Sequence, residues 1–376
     1  MSTFGRTLRK LRLESGLSQP QLARRIHVDQ STLSRWENDR TKPGIATAER
    51  LDDALNASGR LAKLVSPPII SHVPMTFESA QPVTSGHLAE LRRSISQLVG
   101  LDGQHGGAEL APMAARLFRS TSAQLAAGRY EPAIERDLAA ITAELGEVAA
   151  WLAFDSMHFD AARTLNLEAL HLARSAGDRS MELFILGNIA LQAQEAKQPR
   201  EALRTVQLME TFKLSPRLRV MTSLRRARAA ADLGDDRAFA VMRRAQSDLS
   251  NGVHRTDPEW CWWVTDLELK VHEGGMWRAF GHPARAVDCY ATVVESTAER
   301  YRWARFVSGA NLTNALVEVS DWREAENAAV QLHGLAGQVS SARAGRRIRE
   351  AAETARRNGV PSSLDDALTS LVHLTA

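Results

Sequence analysis

The stretch LSQPQLARRIHVDQSTLSRWENDRTKP, residues 17–43, decides how this chain is read. Ser18 stands where a helix N-cap belongs, and Pro20 falls in the first turn that follows, where a missing N–H costs nothing. Leu22, Ala23 and Ile26 recur at helical spacing and give that helix one apolar face. His27-Val28 leaves room only for a very short turn before Asp29, a second N-cap. A further helix then runs from about Gln30 to Asn38. With Val28, Leu33 and Trp36, the inward residues form a small core. Two short helices joined so tightly cross at a steep angle, with small Ala23 where they come closest. The second helix then projects from the surface and fits a DNA major groove, which is wide enough to admit it.

The residues on the projecting side suit that use. Gln30, Ser31, Ser34 and Arg35 fall on the outward face near the start of the helix. Gln pairs bidentately with adenine and Arg with guanine. Gln19, Asn38, Arg40 and Lys42 flank this surface, where phosphates would lie. Working outward, Phe4, Leu8 and Leu11 mark an earlier helix that ends at Gly16. The segment DRTKPG closes the projecting helix, and two more follow, about Ile45 to Leu55 and Gly59 to Leu64. Residues 1–65 thus read as a five-helix DNA-binding domain. Residues 1–66 carry 12 Lys/Arg against 7 Asp/Glu, whereas the remainder carries 35 against 37. The positive excess is therefore concentrated where a polyanion would bind.

Residues 4–64 resemble the helix-turn-helix of the phage-repressor-like (XRE) family of bacterial regulators, whose five-helix domain is of the lambda-repressor type. The resemblance is carried by Ser18-Gln19, Leu22-Ala23, the run Ser31-x-x-Ser34-Arg35-Trp36-Glu37, and Pro43. It implies that Gln19 contacts phosphate and packs against Gln30, and that Arg12 pairs with Glu37. His27 departs from the pattern, because the family has Gly at this turn position. A positive φ is needed there, and His tolerates it better than most residues.

Residues 66–87, SPPIISHVPMTFESAQPVTSGH, hold four prolines and several Ser and Thr, and read as a linker. From residue 88 the chain reads as helix after helix, rich in Ala, Leu, Arg and Glu. The fold class is therefore all-α. Short turns followed by Ala-rich helices recur at 159–170, 199–209, 236–245, 283–293 and 322–332. Ala162, Ala202, about Ala240, Ala286 and Ala325 are taken as equivalent, at spacings near 40 residues. Each such helix follows another, as in RSMELFILGNIALQAQEA. A helix pair exposes an apolar face that only the next pair covers, so the array is an α-solenoid.

The repeats, about 130–340, resemble tetratricopeptide (TPR) units, with 341–376 as capping helices. Residues 88–200 further resemble long actinobacterial regulators that combine an XRE domain with such an array. That resemblance implies a sensory or interaction domain. The concave side of a helix-pair solenoid is lined by the first helix of each pair and takes peptides or other ligands. The repeat register places Gln194, Arg228, Arg278 and Asn314 near it. The aromatic group Trp260, Trp262, Trp263, Trp277, Tyr290, Tyr301, Trp303 and Trp322 fits repeat-to-repeat packing better than a ligand cage. Arg225, Arg226, Arg228, Arg243 and Arg244 form a run of basic residues on two successive helices.

Several classes are excluded. GxxxxGK[ST], GxSxG, HExxH and CxxC are absent, Cys261 and Cys289 have no His at ligand spacing, and His272-Glu273-Gly274-Gly275 matches no mechanism. No catalytic residue, metal or cofactor is expected. Apolar runs fall far short of the ~20 residues that span a bilayer, and the N-terminus has no signal-peptide core. The expectation is a cytoplasmic, nucleoid-associated regulator. It would be a homodimer whose recognition helices lie ~34 Å apart on a pseudo-palindromic double-stranded operator, with a small molecule, peptide or protein as ligand of the array. The alternative is an adaptor in which the array recruits a protein and the helix-turn-helix is a tether or contact module.

Overall fold

In the computed structural model, the described residues are 4–26, 30–39, 43, 48, 51, 52, 54–57, 60, 61, 64, 82–250, 256–299 and 301–375. For Arg24, Ser31, Thr32, Glu259 and Trp262 only the backbone is described. The expected turn at residues 27–29, Arg40, Lys42, the Ser31 side chain, most of the fourth and fifth helices and linker residues 66–81 lie outside them. The chain divides into two compact units, Met1–Pro74 and Met75–Ala376. Among the described residues there is no strand, only an isolated parallel bridge between Val83 and Tyr130. No described helix is long and apolar enough to cross a membrane.

The first unit holds α1 (Phe4–Glu14), α2 (Gln19–Arg25) and α3 (Gln30–Glu37). One core gathers Phe4, Leu8 and Leu11 from α1 with Leu22, Ala23, Ile26, Leu33 and Trp36. Ala48, Leu51, Leu55 and Leu61 close it from the C-terminal side. The cap expected at Ser18 takes the reciprocal form: Ser18 N donates to Gln21 Oε1 at 2.8 Å and Gln21 N donates back to Ser18 Oγ at 3.4 Å.

The second unit opens with α4 (Ser85–His105) and α5 (Ala111–Ala126). The linker therefore ends earlier than residue 87. Glu131 N donates to the Val83 carbonyl at 3.0 Å, and Thr84 caps α4 with His87 returning the bond to its backbone N–H. The composition of TSGH suggests a loop, but its Thr is a cap. Six helix pairs follow: α6 (Glu135–Asp155) with α7 (Phe159–Ser175), α8 (Arg179–Glu195) with α9 (Pro199–Glu210), α10 (Pro216–Asp232) with α11 (Ala238–Leu249), α12 (Asp266–Ala279) with α13 (Pro283–Ser296), α14 (Arg302–Glu318) with α15 (Trp322–Ala336), and α16 (Ala342–Arg357) with α17 (Ser362–Leu374).

Each pair turns through one left-handed residue, in order Met157, Lys197, Gly234, Gly281, Ser320 and Gly359, all with φ between 58° and 76°. The same two backbone bonds close each turn, as where Lys197 N donates to Gln194 O and Gln198 N to Ala193 O. The second helices are held by the small residues expected. Ala162, Ala202, Ala286 and Ala325 are buried, and the alanine placed near residue 240 is Ala238, two residues earlier. Leu364, Leu368 and Leu371 of α17 close the end of the array.

Candidate nucleic-acid interface and the inner face of the array

The first unit fixes α3 through a buried ion pair. Arg12 on α1 donates from Nε to Glu37 Oε1 at 2.5 Å and from Nη2 to Oε2 at 3.0 Å, and its Nη1 reaches the Leu17 carbonyl at 2.8 Å. The bond to Glu37 holds Arg12 more firmly protonated against the cost of burial. Gln19 Nε2, at the start of α2, donates to the same Glu37 Oε2 at 2.8 Å. One carboxylate at the end of α3 therefore ties down α1 and α2. A buried carboxylate with every oxygen engaged fixes orientation more than it adds stability. Gly5 brings α1 against the end of α3, since a Cβ there would collide with the Trp36 carbonyl oxygen. Asp39, in the left-handed region at φ 54°, accepts from Gly5 N at 2.8 Å.

With the inner side so held, α3 presents Gln30, Arg35 and Asn38 exposed and Ser34 half-buried. Asn38 Nδ2 donates to the Ser34 carbonyl at 2.8 Å, so the last turn carries a fixed amide. Gln19 is half-buried, and its amide nitrogen is turned to Glu37.

The inner face of the array is a set of ion pairs between first helices. Arg278 of α12 is bound through both nitrogens to Glu318 of α14, with Nε to Oε2 at 2.9 Å. Arg228 of α10 pairs with Asp232 at 3.1 Å and lies over Gly275, where a Cβ would meet its Cζ at 2.9 Å. Gly274 likewise makes room for Tyr290. The HEGG segment is therefore a packing device in α12. Tyr290 feels both Arg228 and Arg278, so those two expected ligand residues share one locality. Asn314 is buried on α14 with Nδ2 3.5 Å from Glu350, and Gln194 is buried within α8. The run of arginines on α10 and α11 is split. Arg225 is buried, with Nε bonded to the Gly187 carbonyl and Nη1 against His272, whereas Arg226 pairs with Glu210 at the surface. Of the aromatics, Trp260 stacks on Phe184 at 4.1 Å and Trp277 lies 4.1 Å from Phe239, as repeat packing requires, whereas Tyr301 is exposed.

Sequence order gave no sign that the ends of this array meet. Asp155, fully buried at the end of α6, accepts from Trp303 Nε1 at 3.0 Å, from Ser341 Oγ at 3.0 Å and from Arg343 Nε at 3.0 Å. Glu195 of α8 accepts from Arg346 at 2.7 Å and Arg347 at 3.0 Å. Burial works against the Glu195 carboxylate, but Arg347, Arg343, Arg346 and Arg228 outweigh it and pull the group down to about 2. Ser340 N donates to the His105 carbonyl at 2.6 Å. Two other acids on this side make no ion pair among the described residues. Burial, with Asp155 nearby, pushes Asp102 up to about 7, and burial pushes Glu147 up to about 8.

Residues 3–64 match the family described as a helix-turn-helix domain. Among solved structures, the chain is similar to PlcR of Bacillus thuringiensis, whose crystal structure holds the peptide PapR7 and DNA. The identity is 15%, the likeness covers 78% of this chain and 93% of that one, and the TM-score is 0.36. It is also similar to the TPR domain of P58(IPK), at 14% identity over 97% of this chain and 95% of that one, with a TM-score of 0.23. No curated protein matches the chain significantly.

Proposed function

We propose that this chain is a sequence-specific transcriptional regulator of the XRE type. It reads double-stranded DNA with α3 and senses a ligand, peptide or partner with its helical array. The observation that carries the reading is the helix-turn-helix match over residues 3–64, on a unit whose third helix is locked from behind by Arg12, Glu37 and Gln19. Gln30, Ser31, Ser34 and Arg35 read base edges, and Gln19, Asn38, Arg40 and Lys42 hold phosphates. The exposure of Gln30, Arg35 and Asn38 supports that assignment. The protein acts as a homodimer on a pseudo-palindromic operator, because one small helix-turn-helix buries too little DNA for tight binding. The array supplies dimerisation and sensing, with half-buried Arg228 and Arg278 as its ligand contacts; Gln194 and Asn314, expected beside them, are buried among the helices. The protein works in the cytoplasm at the nucleoid and carries out no catalysis.

Selection of bound sequences from a random duplex library by the full-length protein tests this. The expected result is one inverted-repeat motif, bound at least a thousandfold more tightly than random DNA. Absence of an enriched motif, with partners captured independently of DNA, would replace the regulator with an adaptor.

A further inference from the structure

The histidine of the HEGG segment has two partners for one nitrogen. His272 Nε2 lies 3.2 Å from Nη1 of Arg225 on α10 and 3.1 Å from Oε1 of Glu268, one turn back on α12. A guanidinium only donates and an ionised carboxylate only accepts, whereas Nε2 offers either a lone pair or an N–H. The ring therefore serves one partner at a time, and its proton decides which. Gly275 lets α10 come close enough for this contact, since Arg228, one turn beyond Arg225, lies directly over it.

The two partners differ in what they lose when they are not served. Arg225 is 3% exposed, with its Nε on the Gly187 carbonyl of α8 at 3.2 Å and its guanidinium facing the Trp263 ring. The Glu268 side chain is 31% exposed and keeps contact with water. A neutral ring therefore gives its lone pair to the buried guanidinium and leaves Glu268 to solvent. Arg225 then joins α8, α10 and α12, the first helices of three successive pairs. A protonated ring has no lone pair at Nε2. It donates to Glu268 and meets Arg225 as a like charge. Burial lowers the imidazole below its usual 6.5; Glu268 opposes the fall, and Arg225 and Arg228 add to it. Arg343 of α16 acts on both Glu268 and Arg225. The other helices against α12 bring Tyr290 and Cys289 of α13 onto Gly274, and Gln246 of α11 to Glu273, which also pairs with Lys270. His272 and Arg225 pull the Glu268 carboxyl down against its burial, so Glu268 stays ionised while the ring titrates.

We infer that His272 is a proton-operated contact between consecutive helix pairs. Neutral, it ties α12 to Arg225 and through Arg225 to α8; protonated, it turns to Glu268 and releases Arg225. The second, third and fourth pairs of the array thus exchange one set of contacts for another as the medium turns acid. The device needs no ligand and stands apart from the reading of the array as a ligand sensor.

The test is magnetic resonance of the full-length protein with isotopically labelled histidine nitrogens, followed from about pH 8 down to about pH 5, the range in which histidines titrate. The signal lost in His272→Gln belongs to His272. At the alkaline end its Nε2 should be unprotonated and its Nδ1 protonated, and the ring should titrate within the range with a midpoint below 6.5. Hydrogen exchange of residues 222–228, corrected for the intrinsic effect of pH, should quicken several-fold across the same midpoint, while residues 162–170 stay level. In His272→Gln the amide offers Arg225 an acceptor and Glu268 a donor together, so the step should vanish and exchange should stay slow. Glu268→Gln removes the carboxylate that favours the imidazolium. It should lower the His272 midpoint and move the exchange step with it, and it identifies the same signal where His272→Gln does not fold. An Nε2 that stays protonated at the alkaline end, a ring that does not titrate in the range, an exchange step that persists in His272→Gln, or a midpoint unmoved in Glu268→Gln each overturns the inference. Operator affinity is read in a separate assay, so any of these results leaves the DNA-binding proposal standing.

Discussion

Replacing Glu147 with Gln should stabilise the helical unit, and by more as pH rises. Glu147 is 5% exposed on α6 and accepts from Asn188 Nδ2 of α8 at 2.6 Å. Burial lifts its carboxyl from 4.5 to about 8. Glu144 and Asp102 add to the rise, and the Asn188 bond opposes it. The native state thus holds a proton that the unfolded chain has released, so stability falls as pH climbs from 4.5 to about 8 and is level beyond. At 1.36 kcal/mol per pH unit, the loss has a ceiling of about 5 kcal/mol, of which about 3 kcal/mol has accrued by pH 7. Gln stays neutral throughout, and its amide oxygen can take the same bond from Asn188. Urea unfolding followed by tryptophan fluorescence reads the effect. Of the eight tryptophans only Trp36 lies outside the second unit. The two proteins should unfold together at pH 4.5 and diverge at pH 7 and 9, with the variant more resistant. A pH-independent offset, or curves that converge at high pH, would refute the idea that Glu147 is held protonated by burial.

Other consequences follow from the same geometry. Gly5→Ala forces a methyl against the Trp36 carbonyl, so the first unit should lose ~1–3 kcal/mol and its DNA affinity with it, measured by Trp36 fluorescence and gel shift. Arg12→Ala strands a buried Glu37 and should cost ~3–5 kcal/mol, whereas Arg12→Met with Glu37→Leu should cost much less; equal losses would show that the pair is not effectively buried. Arg35→Ala should weaken the operator by ~1–3 kcal/mol and relax one base position, while Lys42→Ala should weaken all sequences alike and lower the salt slope by about one, both read by salt-dependent titration. At the pair turns, Ser320→Gly should hold or raise the melting temperature and Gly281→Ala should lower it by the cost of ~1–2 kcal/mol for a Cβ in the left-handed region.

The helix-turn-helix was legible because its signals are local. A cap at Ser18, apolar residues three and four apart and a very short turn are all decided within a few residues, and the core of Leu22, Ala23, Ile26, Leu33 and Trp36 followed from them. The paired array was legible through its buried alanines, which stay small because two helices touch there. The turns were less so. Three of the six left-handed positions carry Met157, Lys197 and Ser320, so a search for glycine finds half the period. Arg225, Arg226 and Arg228 looked like one basic face, yet helical geometry sends Arg225 into the interior and Arg226 out to Glu210.

What stayed hidden was the meeting of the ends, and the reason is physical. Asp155 and Arg343 are 188 residues apart, and nothing in the neighbourhood of either requires the other. Whether a stack of helix pairs closes depends on the small rotation added at each pair, summed over the array. Those rotations are set by the bulk of buried side chains such as Leu332 against Gly309 and Met221 against Gly187. The charges on the inner face acquire their meaning only from that sum. In an open array, Asp155, Glu195, Arg343 and Arg347 would be solvated ends of ordinary helices. Where the ends meet, the same residues are buried and paired with one another. A change at a core position far from the seam, such as Gly309→Ala pressing on Leu332, would therefore be felt at Asp155 without touching it. Core packing and the ionic contacts between the ends of the array therefore depend on one another.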